Sequence, residues 1–258
     1  MTEHRARKRF GQNFLHDQAI IHRIVRAIRP QAGETLLEIG PGQGALTGEL
    51  LATGCELFAL ELDRDLVEIL RHTFSAEPRF HLRQGDALKF ALAEVAKDAR
   101  LRVVGNLPYN ISTPLIFHLL AQREHIVDMH FMLQKEVVDR LAAAPGNKDY
   151  GRLGIMTQYH CRVEPLLDVP PHAFSPQPKV QSAVVRLTPH ATPPFAAKSV
   201  ENLQQIVRAA FNQRRKTLRN ALQTLLSAEQ ISACGIDPGA RPETLALPQF
   251  VALANCVN

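Results

Sequence analysis

The chain has 258 residues, of which 45% are hydrophobic and 21% charged, and carries a formal net charge of +5. That length accommodates one α/β domain of ordinary size with a smaller appendage, and the balance suits a soluble globular protein. No apolar run reaches the roughly 20 residues of a membrane span, no apolar stretch follows the basic start as in a secretory signal, and Cys55, Cys161, Cys234 and Cys256 follow no metal-ligand spacing. Reduced thiols, no metal and a cytoplasmic location are the expectation.

In chain order, Ile21, Ile24, Val25 and Ile28 recur at helical spacing between a cap at Asp17 and a stop at Pro30. Thr35–Ile39 is a short apolar strand that runs into the glycine-rich Gly40-Pro41-Gly42-Gln43-Gly44. A helix follows through Leu46, Leu50 and Leu51, then a strand over Leu57–Leu60 ending in Glu61, and a helix carrying Leu66, Ile69, Leu70 and Phe74. Strands over Phe80–Arg83, Leu101–Val104 and Val127–Leu133 alternate with helices near 113–121 and 135–143. Five apolar strands separated by helices make a doubly wound parallel sheet. A proline-rich extended stretch from about 162 to 187 predicts an antiparallel hairpin that closes this sheet, giving seven strands in all. Residues 188–199 form a linker. From 200 onward the helical spacing of Leu203, Ile206, Val207, Ala210, Leu218, Leu222 and Leu225 predicts a small all-helical domain. The expected domains are therefore 1–188 and 189–258.

A glycine-rich turn between strand and helix holds a nucleotide or nucleoside, because glycine permits the tight turn and lets a ligand approach backbone amides. Glu61, ending the next strand, can accept both ribose hydroxyls. Gly40, Gly42 and Ala45 also satisfy the dinucleotide spacing, so a nicotinamide-dependent oxidoreductase stays open at this point. Glu38 gives the run the form Glu-x-Gly-x-Gly-x-Gly, which resembles the first motif of class I methyltransferases, and a carboxylate there suits a cationic sulfonium better than a pyrophosphate. Asp86, at the end of the third strand, can accept from the adenine amine of S-adenosylmethionine.

Asn106-Leu107-Pro108-Tyr109 follows the fourth strand at its carboxyl end, where ligands bind in open α/β sheets. An adenine amine is a poor nucleophile because its lone pair is delocalised into the ring. Acceptors on its hydrogens localise that lone pair. The Asn106 side-chain oxygen can be one and the Leu107 carbonyl the other. Pro108 removes a competing N–H, and Tyr109 offers a ring on which an extruded base can stack. No strong general base is required. Positioning and electrostatics supply the catalysis.

With Lys8–Leu15, Gly146–Gly151, Phe174–Val180 and Ala210–Leu218 added, nearly the whole chain resembles the ribosomal RNA adenine N6,N6-dimethyltransferase family, in its small-subunit type. The resemblance implies a Rossmann-like class I methyltransferase fold and S-adenosylmethionine as cofactor, held by Asn13, Leu15, Glu38, Gly40, Gly42, Glu61, Asp86 and Asn106. It implies that Phe174 joins Tyr109 in holding the target adenine. It also implies a substrate of two neighbouring adenosines in a hairpin near the 3′ end of small-subunit rRNA, each methylated twice, with a role in small-subunit biogenesis. A monomer acting on that rRNA or its precursor particle is expected. The sister group acting on large-subunit rRNA is the alternative within the same chemistry. Two basic clusters, Arg5, Arg7, Lys8 and Arg9 at the start and Arg214, Arg215, Lys216 and Arg219 in the helical domain, suit phosphate contacts.

Overall fold

Each apolar run in the first half is bounded by a cap or a glycine, and the structure turns those boundaries into strand and helix ends. The computed structural model describes residues 12–96, 99–212 and 215–257. In chain order the elements are β1 (Phe14–Leu15), α1 (Gln18–Ile28), β2 (Thr35–Ile39), α2 (Ala45–Leu51), β3 (Glu56–Glu61), α3 (Arg64–Thr73), β4 (Phe80–Gln84) and α4 (Ala93–Ala96). They continue as β5 (Leu101–Asn106), α5 (Ser112–Leu120), β6 (Ile126–Gln134), α6 (Lys135–Ala142), α7 (Arg152–His160), β7 (Cys161–Val169), β8 (Phe174–Ser175) and β9 (Ser182–Pro189). The C-terminal helices are α8 (Val200–Phe211), α9 (Leu218–Ala221), α10 (Ala228–Ala233) and α11 (Leu247–Asn255).

Seven strands form one sheet in the order β4-β3-β2-β5-β6-β9-β7. The pairs β2–β3, β3–β4, β2–β5 and β5–β6 are parallel, and β6–β9 is antiparallel. The sheet is thus mostly parallel with helices between its strands, the architecture that the resemblance to class I methyltransferases implies. From β2 the chain winds one way through β3 and β4, then returns to β5 on the other side of β2, so β2 and β5 flank the topological switch point. Gly105 lets them close there: a Cβ on it would stand 2.5 Å from the Ile39 carbonyl oxygen.

Caps fix the helices beside this point. The Asp17 carboxylate accepts from the Ile20 amide at 3.1 Å to open α1, and Asp63 accepts from the Asp65 amide to open α3. The buried faces of α1 and α2 pack with β2 and β3 in a core that includes Ile21, Ile28, Leu36, Leu50 and Leu57. Arg102 ties the far end of the same layer together. Its guanidinium bridges Asp128 (2.9 and 3.0 Å) and Glu34 (2.9 Å) and donates to the carbonyls of Ile28 and Arg29 at the end of α1.

Residues 162–187 do not form one simple hairpin. β7 and β9 are both in the sheet, with β9 between β6 and β7. Between them the chain turns aside, and β8 pairs antiparallel with β1 in a separate two-stranded ribbon, Leu15 opposite Phe174.

By contact the chain divides into two units. The second holds Asp139–Val163 together with the chain from His190 onward, so it is not bounded by one cut near 188. In it α7 and α8 pack together, and Phe211 lies between Tyr150 (6.2 Å) and Phe250 (5.8 Å). Ser199 caps α8 through the Asn202 amide, and Ser227 with Gln230 forms a capping box on α10.

Candidate active site

Four strand ends, those of β2, β3, β4 and β5, and the N-terminal segment converge on one cavity within the first unit. Its lining includes Asn13 and Leu15, Glu38, Gly40 and Gly42, Glu61, Asp86, and Asn106 through Tyr109. The structure therefore brings together all eight residues read as cofactor contacts and the whole Asn106–Tyr109 segment. Phe174 stands apart. It is 1% exposed, packs in the core with Leu15, Val169 and Ala173, and is not among the lining residues. The adenine contact that the resemblance implies would need its ring to leave that packing. Arg5, Arg7, Lys8, Arg9 and Arg214 lie outside the described residues. Arg215 and Arg219 are exposed and Lys216 half-buried in the helical unit, and among the described residues no ion pair involves them.

The glycine loop is built as the sequence requires. Gly40, Gly42 and Gly44 have φ of +67°, +60° and +85°, a region L side chains rarely enter. The Glu61 carboxylate accepts from the amides of Gly42 (3.2 Å), Leu62 (2.9 Å) and Asp63 (2.9 Å). One side chain thus locks the loop after β2 to the end of β3, while its own burial raises its pKa. Asp86 accepts from the Leu88 amide at 3.0 Å, which fixes the turn after β4.

Glu38 is 1% exposed and accepts from the Thr47 hydroxyl at 2.7 Å. Burial pushes its carboxyl up to about 7, with the neighbouring Glu61 carboxylate adding to the rise and the Thr47 bond opposing it. At neutral pH it is poised between charged and neutral.

The Asn106 side chain donates its Nδ2 to the Asn13 carbonyl at 3.0 Å. A carbonyl can only accept, so this bond decides which end of the amide is which and leaves Oδ1 as the acceptor. The Leu107 amide is taken by the Met132 carbonyl (3.1 Å), anchoring the segment to β6. Tyr109 is hydrogen-bonded through its hydroxyl to Ser182 Oγ at 2.8 Å, and burial raises its pKa. Ser182 was not legible as a site residue, because only the antiparallel register of β9 on β6 brings it there. Gln12, which lines the cavity and donates to Asp63 at 3.1 Å, falls within the Lys8–Leu15 motif but is not singled out there as a site residue. Among the described residues the lining holds polar acceptors and carboxylates and no histidine or lysine.

The ribosomal RNA adenine dimethylase family model matches residues 3–258. The ribosomal RNA small subunit methyltransferase A of Pseudomonas aeruginosa is 63% identical over 99% of this chain and 96% of its own length. Among solved structures, a dimethyladenosine transferase from Plasmodium falciparum superposes with a TM-score of 0.79 at 24% identity, covering 93% of this chain and 95% of that one. The 23S rRNA methyltransferase ErmE gives 0.72 at 26% identity, over 95% of this chain and 99% of its own.

Proposed function

The chain belongs to the ribosomal RNA adenine dimethylase family, and from that premise we propose how its cavity performs the reaction and on which RNA. It is an S-adenosylmethionine-dependent adenine dimethyltransferase of small-subunit rRNA. Bound in the cavity, the cofactor supplies a methyl group on a positively charged sulfur.

The residues present fit that group. The positive-φ glycines leave backbone open to a nucleoside, Glu61 and Asp86 end successive strands as acceptors for hydroxyls and an amine, and Glu38 places a buried carboxylate beside the loop. Asn13, Leu15, Gly40 and Gly42 complete the set.

Asn106 carries the chemistry. Its Oδ1, oriented by the Asn13 carbonyl, accepts one hydrogen of the adenine amine and the Leu107 carbonyl accepts the other, so the nitrogen lone pair is localised for attack. The amine's proton leaves after transfer, so no strong general base is required. Tyr109, held by Ser182, is the aromatic on which the base stacks, and Pro108 withholds a competing donor. Phe174 joins it only if its ring leaves the core. Arg5, Arg7, Lys8, Arg9, Arg214, Arg215, Lys216 and Arg219 hold phosphates.

The substrate is two adjacent adenosines in the hairpin near the 3′ end of the small-subunit rRNA, presented on that rRNA or its precursor particle. A cavity complete within one chain supports a monomer, acting in the cytoplasm where those particles form. The observation that carries this reading is the single cavity shared by Asn106, Glu61, Asp86 and the glycine loop. Tritiated cofactor incubated with unmodified small subunits should yield N6,N6-dimethyladenosine on nucleoside analysis. Label confined to large-subunit rRNA, or no label, overturns the assignment.

A further inference from the structure

The four cysteines are far apart in sequence, but the fold sorts them into two kinds. Cys55 and Cys161 are buried at 0% and 1% exposure. Cys234 and Cys256 are half-buried in the helical unit, and their sulfurs meet at 2.6 Å, closer than two unbonded sulfur atoms rest. Both positions are set by helix ends. Cys234 is the C-cap of α10, its amide bonded back to the Gln230, Ile231 and Ser232 carbonyls, and Cys256 is the C-cap of α11, bonded to Ala254 and Leu253. The approach is therefore fixed by two helices and does not depend on a loop conformation. A disulfide bond of about 2.05 Å lies about half an ångström of sulfur movement away.

We propose that Cys234 and Cys256 are a modification site, a dithiol that a hydroperoxide oxidises to an intramolecular disulfide clipping the end of α11 to the end of α10. In the first step one thiol sulfur attacks the peroxide, takes one oxygen to become a sulfenic acid, and releases the other oxygen as an alcohol or, from hydrogen peroxide, as water. In the second step the other thiol attacks that sulfur, the S–S bond forms, and the oxygen leaves as water. The two thiol protons end on the two departing oxygens. Two sulfurs give up one electron each, and the peroxide takes both.

The surroundings say what the clip does. Helix α11 is already held at both ends: Phe250 in its first turn packs on Phe211 of α8, and the Asn255 side chain, one residue before Cys256, accepts from the Lys198 amide at 2.7 Å. A bond at Cys256 adds α10 to that assembly and closes the chain between 234 and 256, which removes conformations from the unfolded state. Burial and the neighbouring thiol push Cys234 up to about 11. A raised thiol carries little thiolate at neutral pH, so the oxidation is slow and the pair lacks the lowered thiol of a dithiol exchange catalyst. No cysteine lines the cofactor cavity, so cofactor affinity is left alone.

The test treats the full chain with hydrogen peroxide, blocks remaining thiols by alkylation, and maps peptides without reductant. The expected result is a Cys234–Cys256 cross-linked peptide, lost on adding a thiol reductant and formed before Cys55 or Cys161 reacts. The oxidised wild-type protein should melt several degrees higher than the reduced one, with unchanged affinity for S-adenosylmethionine, and Cys256→Ser should show no oxidant-dependent rise. Peptide mapping on the wild type stands whether or not that variant folds. Both thiols remaining free to alkylate, each ending as a separate sulfinic acid, or a cross-link to another cysteine overturns the proposal. A mapped disulfide with no rise in melting temperature overturns the clip.

Discussion

At the scale of single residues, the side chains that matter are those whose state is set by a named partner. Asn106 has its nitrogen committed to the Asn13 carbonyl, so Asn106→Ala removes an oriented acceptor together with the bond that orients it. Methyl transfer should fall by about 10²–10³ in kcat, measured by single-turnover transfer at saturating cofactor so that any weakening of cofactor binding is separated from the loss of the acceptor. Activity equal to wild type would remove the acceptor role. Glu38 makes a different prediction. Its carboxyl titrates near 7 in the folded protein, and only the ionised form attracts a cationic ligand. Cofactor affinity should therefore rise as pH increases from about 6 to about 8. In Glu38→Gln the dependence should flatten. The sign for stability is the reverse. A folded-state pKa raised above the ordinary carboxylate value means the folded protein binds more protons between about 4.5 and 7, so this group's contribution to stability is lost as pH rises through that window.

At the scale of elements, the site depends on how closely β2 and β5 run at the switch point. Gly105→Ala would drive a methyl group into the Ile39 carbonyl oxygen, which is backbone and cannot swing aside. We expect a loss of about 1–3 kcal/mol by denaturant unfolding, together with a fall in transfer rate, because Gly40 and Asn106 leave those two strands. The parallel half of the sheet was legible because each strand is a short apolar run between helices with one apolar face. What was not legible has a physical reason in each case. Helix α7 escaped because six of its nine residues, Gly154, Ile155, Met156, Thr157, Tyr159 and His160, are buried, so it presents no amphipathic stripe. The ribbon of β1 and β8 escaped because two-residue strands carry no alternation. Within the site, Glu38, Glu61, Asp86 and Asn106 could be placed because strand ends converge by topology. The hydrogen bonds that orient them, from the Thr47 hydroxyl to Glu38, from the Gly42 amide to Glu61 and from Asn106 to the Asn13 carbonyl, depend on packing that no spacing rule encodes. Phe174 shows the same limit, since its motif says nothing about the core that encloses its ring.

At the scale of the whole molecule, a net charge of +5 is modest, and its placement decides what it does. Replacing Arg214, Arg215 and Lys216 together with Ala should weaken RNA binding and lower the slope of log affinity against log salt by about 2–3. Cofactor affinity should not change. Unaltered RNA affinity would show these charges to be merely solvated. Local stability differs from function in this respect, because the bonds that define the cavity cross large sequence distances. Asn13 and Asn106 are 93 residues apart. In genetic terms the two segments are one locus: a substitution near Asn13 that displaces its carbonyl would carry the phenotype of a lesion in Asn106 while leaving that codon intact. A search for loss-of-function alleles should therefore recover two clusters 93 residues apart in sequence, with a single biochemical signature.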